Sequence, residues 1–91
     1  MSPVRPSWYY IYVLISEVDM KFYTGATMNL EERLQQHNNG KVCSTKNRYP
    51  LKLIYYEACL NKNDAYRREK YLKSGMGKRY LKNRLMEGLT G

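Results

Sequence analysis

The sequence predicts an α+β fold, in which helices flank a three-stranded, largely antiparallel sheet and the elements follow the order ββαβαα. Three observations support this prediction. An early run is β-branched or aromatic, later apolar residues recur at helical spacing, and turn residues separate the segments. Because a chain of 91 residues has room for one core, residues 8–91 are predicted to form a single domain after a flexible lead-in of residues 1–7.

The predicted sheet begins with a hairpin. Nearly every residue of 8–15 is β-branched or aromatic on both pleat faces, which indicates a strand covered on both sides. Residues 21–25 follow a short polar connection and are predicted to pair with this strand and to end at Gly25. The third strand is predicted over residues 51–58, "LKLIYYEA".

Helix-capping residues mark the predicted helices. Asn29 stands three residues before Glu32, which is a capping pattern for a helix that ends at residue 37 or 38. Asn61 and Asp64 repeat the pattern for a helix that continues to residue 74. A glycine-containing break at residues 75–77 then precedes a last helix, "KRYLKNRLMEGL". Between the first helix and the third strand, residues 39–50 form a long basic loop of a kind that is often functional.

The positive charge is concentrated in the C-terminal half. Residues 1–40 hold three basic and four acidic residues, for a net charge of −1, whereas the other 51 hold thirteen and four, for +9. Such a field favours phosphate-rich partners through counterion release, so nucleic acid is the expected partner. An anionic membrane surface or a merely solvated basic face are the alternatives.

The composition argues against several other classes of protein. Cys43 and Cys59 stand far apart and the chain has one histidine, which does not make up a zinc site. The apolar run "WYYIYVLIS" is too short to span a membrane and lacks the features of an export signal. A cytoplasmic protein without a membrane partner is therefore expected.

Two polar residues interrupt the apolar stripe of the first predicted helix. Arg33 and His37 share a helical face with Leu30 and Leu34. An arginine removed from water needs a partner, and Glu69, which interrupts an apolar face of the second helix, is a candidate. A purely structural Arg33–Glu69 ion pair and a hydrogen-bonded interior histidine are alternatives to a catalytic site.

The hairpin carries two short motifs that together resemble those of the GIY-YIG nucleases. Residues 10–12, Tyr-Ile-Tyr, match the first half-motif with tyrosine in place of the usual glycine, and residues 23–25, Tyr-Thr-Gly, match the second. The helices that bear Arg33, His37 and Glu69 follow in matching order. The resemblance extends over nearly the whole chain and is to the short, stand-alone members of the family.

This resemblance implies hydrolysis of phosphodiester bonds with one divalent metal ion, Mg²⁺ or Mn²⁺, held by Glu69. It implies that Tyr12 takes a proton from the attacking water and that Arg33 holds the scissile phosphate. Tyr23 and His37 would orient the water or relay the proton. Members of the family often have a late asparagine near the site, but Asn83 is not assigned to the predicted catalytic set.

The basic loop and the second helix form the predicted substrate platform. Its phosphate contacts are predicted to be Lys41, Lys46, Arg48, Arg67, Lys70 and Lys73. Because no second domain is available to read a sequence, we expect structure-selective or single-strand-selective cleavage, with DNA preferred to RNA. A catalytically silent DNA- or RNA-binding module and an accessory subunit for an acidic partner are the alternatives. A homodimer is a further alternative, because cutting both strands requires two sites.

Overall fold

A computed structural model describes residues 7–90, so the predicted lead-in, apart from Ser7, lies outside the described residues. The three strands are β1 (Tyr9–Ser16), β2 (Phe22–Thr27) and β3 (Leu51–Cys59). They form one antiparallel sheet in the order β2-β1-β3, so that β1 is central and β2 is an edge strand. The helices follow in the predicted order, which confirms the α+β class.

The central strand is covered on both faces, as its apolar pleat predicted. Tyr12 and Leu14 face helix α1 (Leu30–Asn38), and Ile11 and Val13 belong to the core under helices α2 (Lys62–Lys73) and α3 (Gly75–Arg84). All four strand residues are at most 2% exposed. Alternate residues of β1 therefore serve two cores, and the polar tip of Tyr12 lies on the α1 side.

Strand β2 is longer than predicted, and the prediction that it ends at Gly25 was wrong. The strand continues to Thr27, and Gly25 pairs with Tyr12 inside the ladder. A Cβ atom at position 25 would collide with the hydroxyl and ring of Tyr12. The glycine therefore leaves space for a phenol rather than terminating a strand.

Both predicted helix caps are present. The Asn29 side chain accepts a hydrogen bond from the Glu32 amide, and the Asn61 side chain accepts hydrogen bonds from two amides at the start of α2. Each cap satisfies amides that lack a partner inside the helix. The capping residues thus fix where α1 and α2 begin.

The C-terminal helices differ from the prediction. Ser74 ends α2 and caps α3, which begins at Gly75, so the glycines lie in the first turn of a helix rather than in a break. Gly77 is required there, because a Cβ atom would collide with the backbone of α2 at Leu72. The predicted last helix is divided at Leu85 into α3 and a short α4 (Met86–Thr90).

The basic loop is anchored to the domain at several points. It contains a short 3-10 helix, Cys43–Thr45, and both Val42 and Thr45 are buried. At its end, the Asn38 side chain exchanges two hydrogen bonds with the Leu51 backbone, at 3.0 and 2.7 Å. No helix within residues 7–90 combines the length and the apolar character needed to cross a bilayer.

Candidate active site

The site is built around the hydroxyl of Tyr12, which is the first predicted catalytic residue. Its oxygen lies 2.8 Å from His37 Nε2, and Arg33 Nε donates to it over 3.4 Å. Tyr12 is only 2% exposed, so its hydroxyl is held almost entirely by protein groups. Strand β1 and helix α1 thus bring three of the five predicted catalytic residues into direct contact.

Tyr23 joins this cluster through the register of the hairpin. It pairs with Leu14 on β1, two residues from Tyr12, and therefore lies on the same face of the sheet. Its ring centroid is 6.3 Å from that of Tyr12 and 4.9 Å from that of His37. The structure therefore brings both hairpin phenols to one side, as the predicted site requires.

His37 is fully buried and makes a contact at each ring nitrogen. Nε2 faces Tyr12, and Nδ1 lies 2.7 Å from the Thr45 hydroxyl. Burial, helped by the positive charge of Arg33, lowers the pKa of His37 to about 4, so the ring is neutral at pH 7. A neutral imidazole can accept a proton at one nitrogen while it donates at the other.

The hydrogen-bond pattern indicates which tautomer His37 adopts. Arg33 can only donate, so the buried Tyr12 hydroxyl finds its acceptor at His37 Nε2. The other nitrogen, Nδ1, then carries the hydrogen and donates it to Thr45. The sequence pattern gave no signal for Thr45, because this contact depends on how the basic loop folds back.

Arg33 does not form the Arg33–Glu69 ion pair considered as a structural alternative. Within residues 7–90 it donates to Tyr12 and, at 3.0 Å, to the side-chain oxygen of Gln36. The hydrogen bond to Tyr12 raises the pKa of Arg33 above its ordinary value, so its charge is permanent. Arg33 and Gln36 also line an open cleft of about 340 Å³ between the end of β2 and the start of α1. Gln36 was missed by the sequence analysis, although its position one turn after Arg33 was a signal.

Glu69 approaches from α2, on the other side of the sheet. Its side chain is 21% exposed and its carboxylate lies 3.0 Å from Lys73 Nζ. Its negative charge contributes to raising the pKa of Tyr12. Glu69 therefore acts on the phenol through the electric field, and no direct hydrogen bond joins the two within the described residues.

Burial dominates the acidity of the Tyr12 phenol. It raises the pKa of Tyr12 to about 12, and electrostatic repulsion from Tyr23 and Glu69 acts in the same direction. The hydrogen bond from Arg33 opposes them by stabilising a phenolate. The phenol is therefore protonated at pH 7 and needs a proton acceptor before it can act as a base.

The Glu69 carboxylate fits a hydrated divalent ion better than a zinc ion. Within residues 7–90, no three His, Cys, Asp or Glu side chains come together as a metal cage. Mg²⁺ is commonly held by one or two carboxylates and several waters, which is the donor set that Glu69 offers. The Lys73 ammonium contacts Oε2 of Glu69, so an ion bound to this carboxylate would compete with it for the negative charge.

Three of the six predicted phosphate contacts are already engaged in ion pairs. Lys73 is paired with Glu69, Arg48 with Asp19 and Arg67 with Asp64. The other three predicted contacts are exposed and make no ion pair among residues 7–90; these are Lys41, Lys46 and Lys70. The platform is therefore less positively charged than its residue count implied.

Comparisons with known proteins identify the family of this chain. The family model described as "GIY-YIG catalytic domain" matches residues 8–83. A UPF0213 protein of Clostridium perfringens is 46% identical over 65 residues, covering 70% of this chain and 69% of the relative. A UPF0213 protein of Pediococcus acidilactici is 40% identical over 89 residues, covering 91% of this chain and 90% of the relative.

A solved structure has a similar fold. The solution NMR structure of a UPF0213 protein from Bacillus halodurans is 32% identical to this chain, with a TM-score of 0.51, and the alignment covers 81% of each chain. The similarity therefore includes the fold as well as the sequence.

Proposed function

The chain belongs to the GIY-YIG family of nucleases, and on that premise we propose that it hydrolyses phosphodiester bonds, in DNA rather than RNA, with Mg²⁺ or Mn²⁺. The observation that carries the proposal is the contact of one phenol, that of Tyr12, with both His37 and Arg33. A phenol can act as a general base when its oxygen contacts both a group that accepts its proton and a group with a fixed positive charge. A cytoplasmic location is expected and stays a prediction.

Tyr12 would act as the base through His37. With a pKa of about 12, only about one phenol in 10⁵ is ionised at pH 7, so a free phenolate is too scarce. The relay avoids this shortage: as the Tyr12 oxygen takes a proton from the attacking water, its own proton passes to His37 Nε2. The hydrogen bond from Arg33 stabilises the negative charge that develops on the phenol oxygen during this transfer.

Arg33 would also bind the scissile phosphate. Arg33 is one of the residues that line the open cleft, and its raised pKa keeps it charged throughout the reaction. A planar guanidinium suits a phosphate whose negative charge rises as the water attacks. Tyr23, packed against Tyr12 and His37, would orient the water.

Glu69 would hold the divalent ion. When bound, that ion offsets the charge that builds on the leaving 3′ oxygen. The carboxylate is partly exposed, so it is accessible to a hydrated ion, and Lys73 would turn from the carboxylate toward the substrate phosphate. We further propose that the chain selects substrate by strand structure, because the domain has few surfaces with which to read base sequence.

The direct test is cleavage of labelled single-stranded, branched and duplex DNA, beside RNA strands of the same sequence, with and without Mg²⁺ or Mn²⁺. Glu69→Gln should lose at least about 100-fold in rate, because the neutral amide holds the ion poorly. Asp64→Asn is the matched control, since it neutralises an exposed acid of the same helix. A parent protein that cuts none of these substrates, or a Glu69→Gln protein that cuts as fast as the control, would refute the proposal.

A further inference from the structure

A basic groove lies outside the candidate active site. It runs between the β1–β2 turn and helix α3, and its volume is about 600 Å³. Its walls include Lys21 from the turn, Arg48 from the basic loop, and Lys78 and Lys82 from α3. Only Arg48 of these four was among the predicted phosphate contacts.

Arg48 has a structural role in this groove. It is paired with Asp19 at 3.0 Å and donates to the Lys21 backbone oxygen at 3.1 Å, so it ties the basic loop to the hairpin. Lys21, Lys78 and Lys82, in contrast, are exposed and make no ion pair among residues 7–90. Asp19 also lines the groove and offsets the charge of Arg48, so the described residues of the groove carry a net charge of three positive units from these lysines.

An apolar compartment of about 640 Å³ adjoins the basic groove. The two cavities share Met20, Phe22 and Lys82, so they lie side by side, and we treat them together as one groove. Its apolar side is completed by Ile15 and Ile54. Besides Lys82, two charged residues line this side, Glu17 and Lys52. Their charges are opposite, so together they leave the net charge of the groove unchanged.

We propose that this groove binds a single strand of nucleic acid, with phosphates on Lys21, Lys78 and Lys82 and an unpaired base in the apolar compartment. Ammonium groups bind phosphates without reading sequence, and apolar and aromatic surfaces bind the faces of unstacked bases. A duplex keeps its bases paired and cannot fill the apolar side.

The groove is placed to serve the candidate active site. Phe22 lines the groove and the next residue of β2, Tyr23, belongs to the phenol cluster on the opposite face. Because β2 is the edge strand, a nucleic-acid strand that passes this edge meets both sites. The inference rests on the proposed function and names its substrate as a single strand held beyond the cleavage point.

The first test measures binding of a labelled single strand of mixed sequence by fluorescence anisotropy, with the divalent ions chelated so that no cleavage occurs. Lys78→Ala and Lys82→Ala should each weaken binding about fivefold and lower the salt slope by about 0.7. Arg79→Ala is the matched control, because it removes an exposed positive charge from the same helix but does not line the groove. Equal losses in all three variants would overturn the proposal.

The second test examines the apolar compartment. Replacing the bases of the strand with abasic sites should weaken binding to the parent about fivefold or more, because the base contact is lost. Met20→Asn should abolish that difference, since Met20 lines both cavities and is 65% exposed. Asparagine tolerates the positive φ of 58° at this position, so the backbone is kept. An abasic penalty that Met20→Asn leaves unchanged would contradict the assignment.

A third measurement separates this inference from the proposed hydrolysis. Bis(p-nitrophenyl) phosphate carries no nucleic-acid strand and so reports the active site alone, and Arg79→Ala, which lines neither cavity, should hydrolyse it at the parent's rate. If the parent hydrolyses no phosphodiester but the binding pattern holds, the groove stands and the proposed catalysis fails. If Lys78→Ala and Arg79→Ala bind the strand alike while the parent cleaves DNA, the groove fails and the catalysis stands.

Discussion

At the scale of single residues, the main feature is a chain of hydrogen bonds from Arg33 through Tyr12 and His37 to Thr45. Each link is a side-chain contact, the two links to Tyr12 join residues more than 20 positions apart, and Tyr12, His37 and Thr45 are at most 2% exposed. Leaving a buried polar group without its partner costs free energy. The hydrogen bonds therefore fix the orientation of each of these side chains. Thr45 is a positioning residue in this arrangement, because its hydroxyl accepts from His37 Nδ1 and stabilises the tautomer that Arg33 and Tyr12 select, without reaching the phosphate.

Thr45→Val tests that positioning role. The valine keeps the shape of the side chain but leaves His37 Nδ1 without its partner, which should lower the free energy of unfolding by about 1–3 kcal/mol. We expect kcat for DNA cleavage to fall about tenfold and its pH profile to shift, with KM unchanged, because the favoured tautomer is lost. Thr45→Ser keeps the hydroxyl and should restore the rate and the profile. Identical kinetics for the valine and serine variants would contradict this role.

The buried His37 also predicts how stability depends on pH. Its pKa falls from 6.5 when unfolded to about 4 when folded, so between these values the unfolded chain binds the proton and the folded one does not. Stability is therefore complete above pH 6.5 and is lost as the pH falls toward 4, by up to about 3 kcal/mol. Urea unfolding of the parent and of His37→Gln between about pH 5 and 6.5, above most carboxyl titration, isolates the effect. The free energy of unfolding of the parent should fall as the pH is lowered across this range. If it changes with pH no more steeply than that of His37→Gln, the predicted role of His37 is refuted.

At the scale of elements, the hairpin register decides whether the phenol can occupy its place. Tyr12 lies across the ladder from Gly25, on the face that α1 covers. On the other face, Arg68 holds Glu57 of β3 through two hydrogen bonds of 2.8 Å, which docks α2 one residue before Glu69. One face of the sheet thus carries the phenol of Tyr12, and the other face carries the helix that bears Glu69.

Gly25→Ala tests the close approach within the hairpin. The added methyl group would displace the Tyr12 hydroxyl, so we expect cleavage to fall about 100-fold and unfolding to become easier by about 1–3 kcal/mol. Gly75→Ala is the matched control, because a Cβ atom there has no neighbour within 4 Å. Cleavage assays and thermal unfolding of both variants give the comparison. A Gly25→Ala protein as active as Gly75→Ala would show that the phenol does not need this space.

At the scale of the whole molecule, the sequence predicted what depends on local pattern. Residue spacing was enough to identify the caps at Asn29 and Asn61 and the polar residues on the α1 stripe, because these depend on helix geometry alone. The extension of β2 past Gly25 and the contact of Thr45 with His37 were not predictable in this way. Both depend on which side chain lies opposite in space, and the glycine resembled a strand terminator when read without its neighbour.

Charge distribution over the whole molecule was also only partly predictable. The excess of basic residues in residues 41–91 is a property of the sequence, but ion pairing decides how much of it is available to a ligand. Lys73 is engaged by Glu69 and Arg48 by Asp19, whereas Lys21, from the acidic half of the chain, joins the groove beside α3. Counting charged residues along the sequence therefore located the positively charged surface only roughly.

The central claim is that the Tyr12 hydroxyl takes the proton of the attacking water. Single-turnover cleavage of a labelled single strand by Tyr12→Phe and Tyr56→Phe tests it most directly, since Tyr56 pairs with Tyr12 in the sheet but is 54% exposed. We expect Tyr12→Phe to bind the strand normally and to cut it at least about 100-fold more slowly, with Tyr56→Phe near the parent rate. Cleavage by Tyr12→Phe at the rate of Tyr56→Phe would contradict the account.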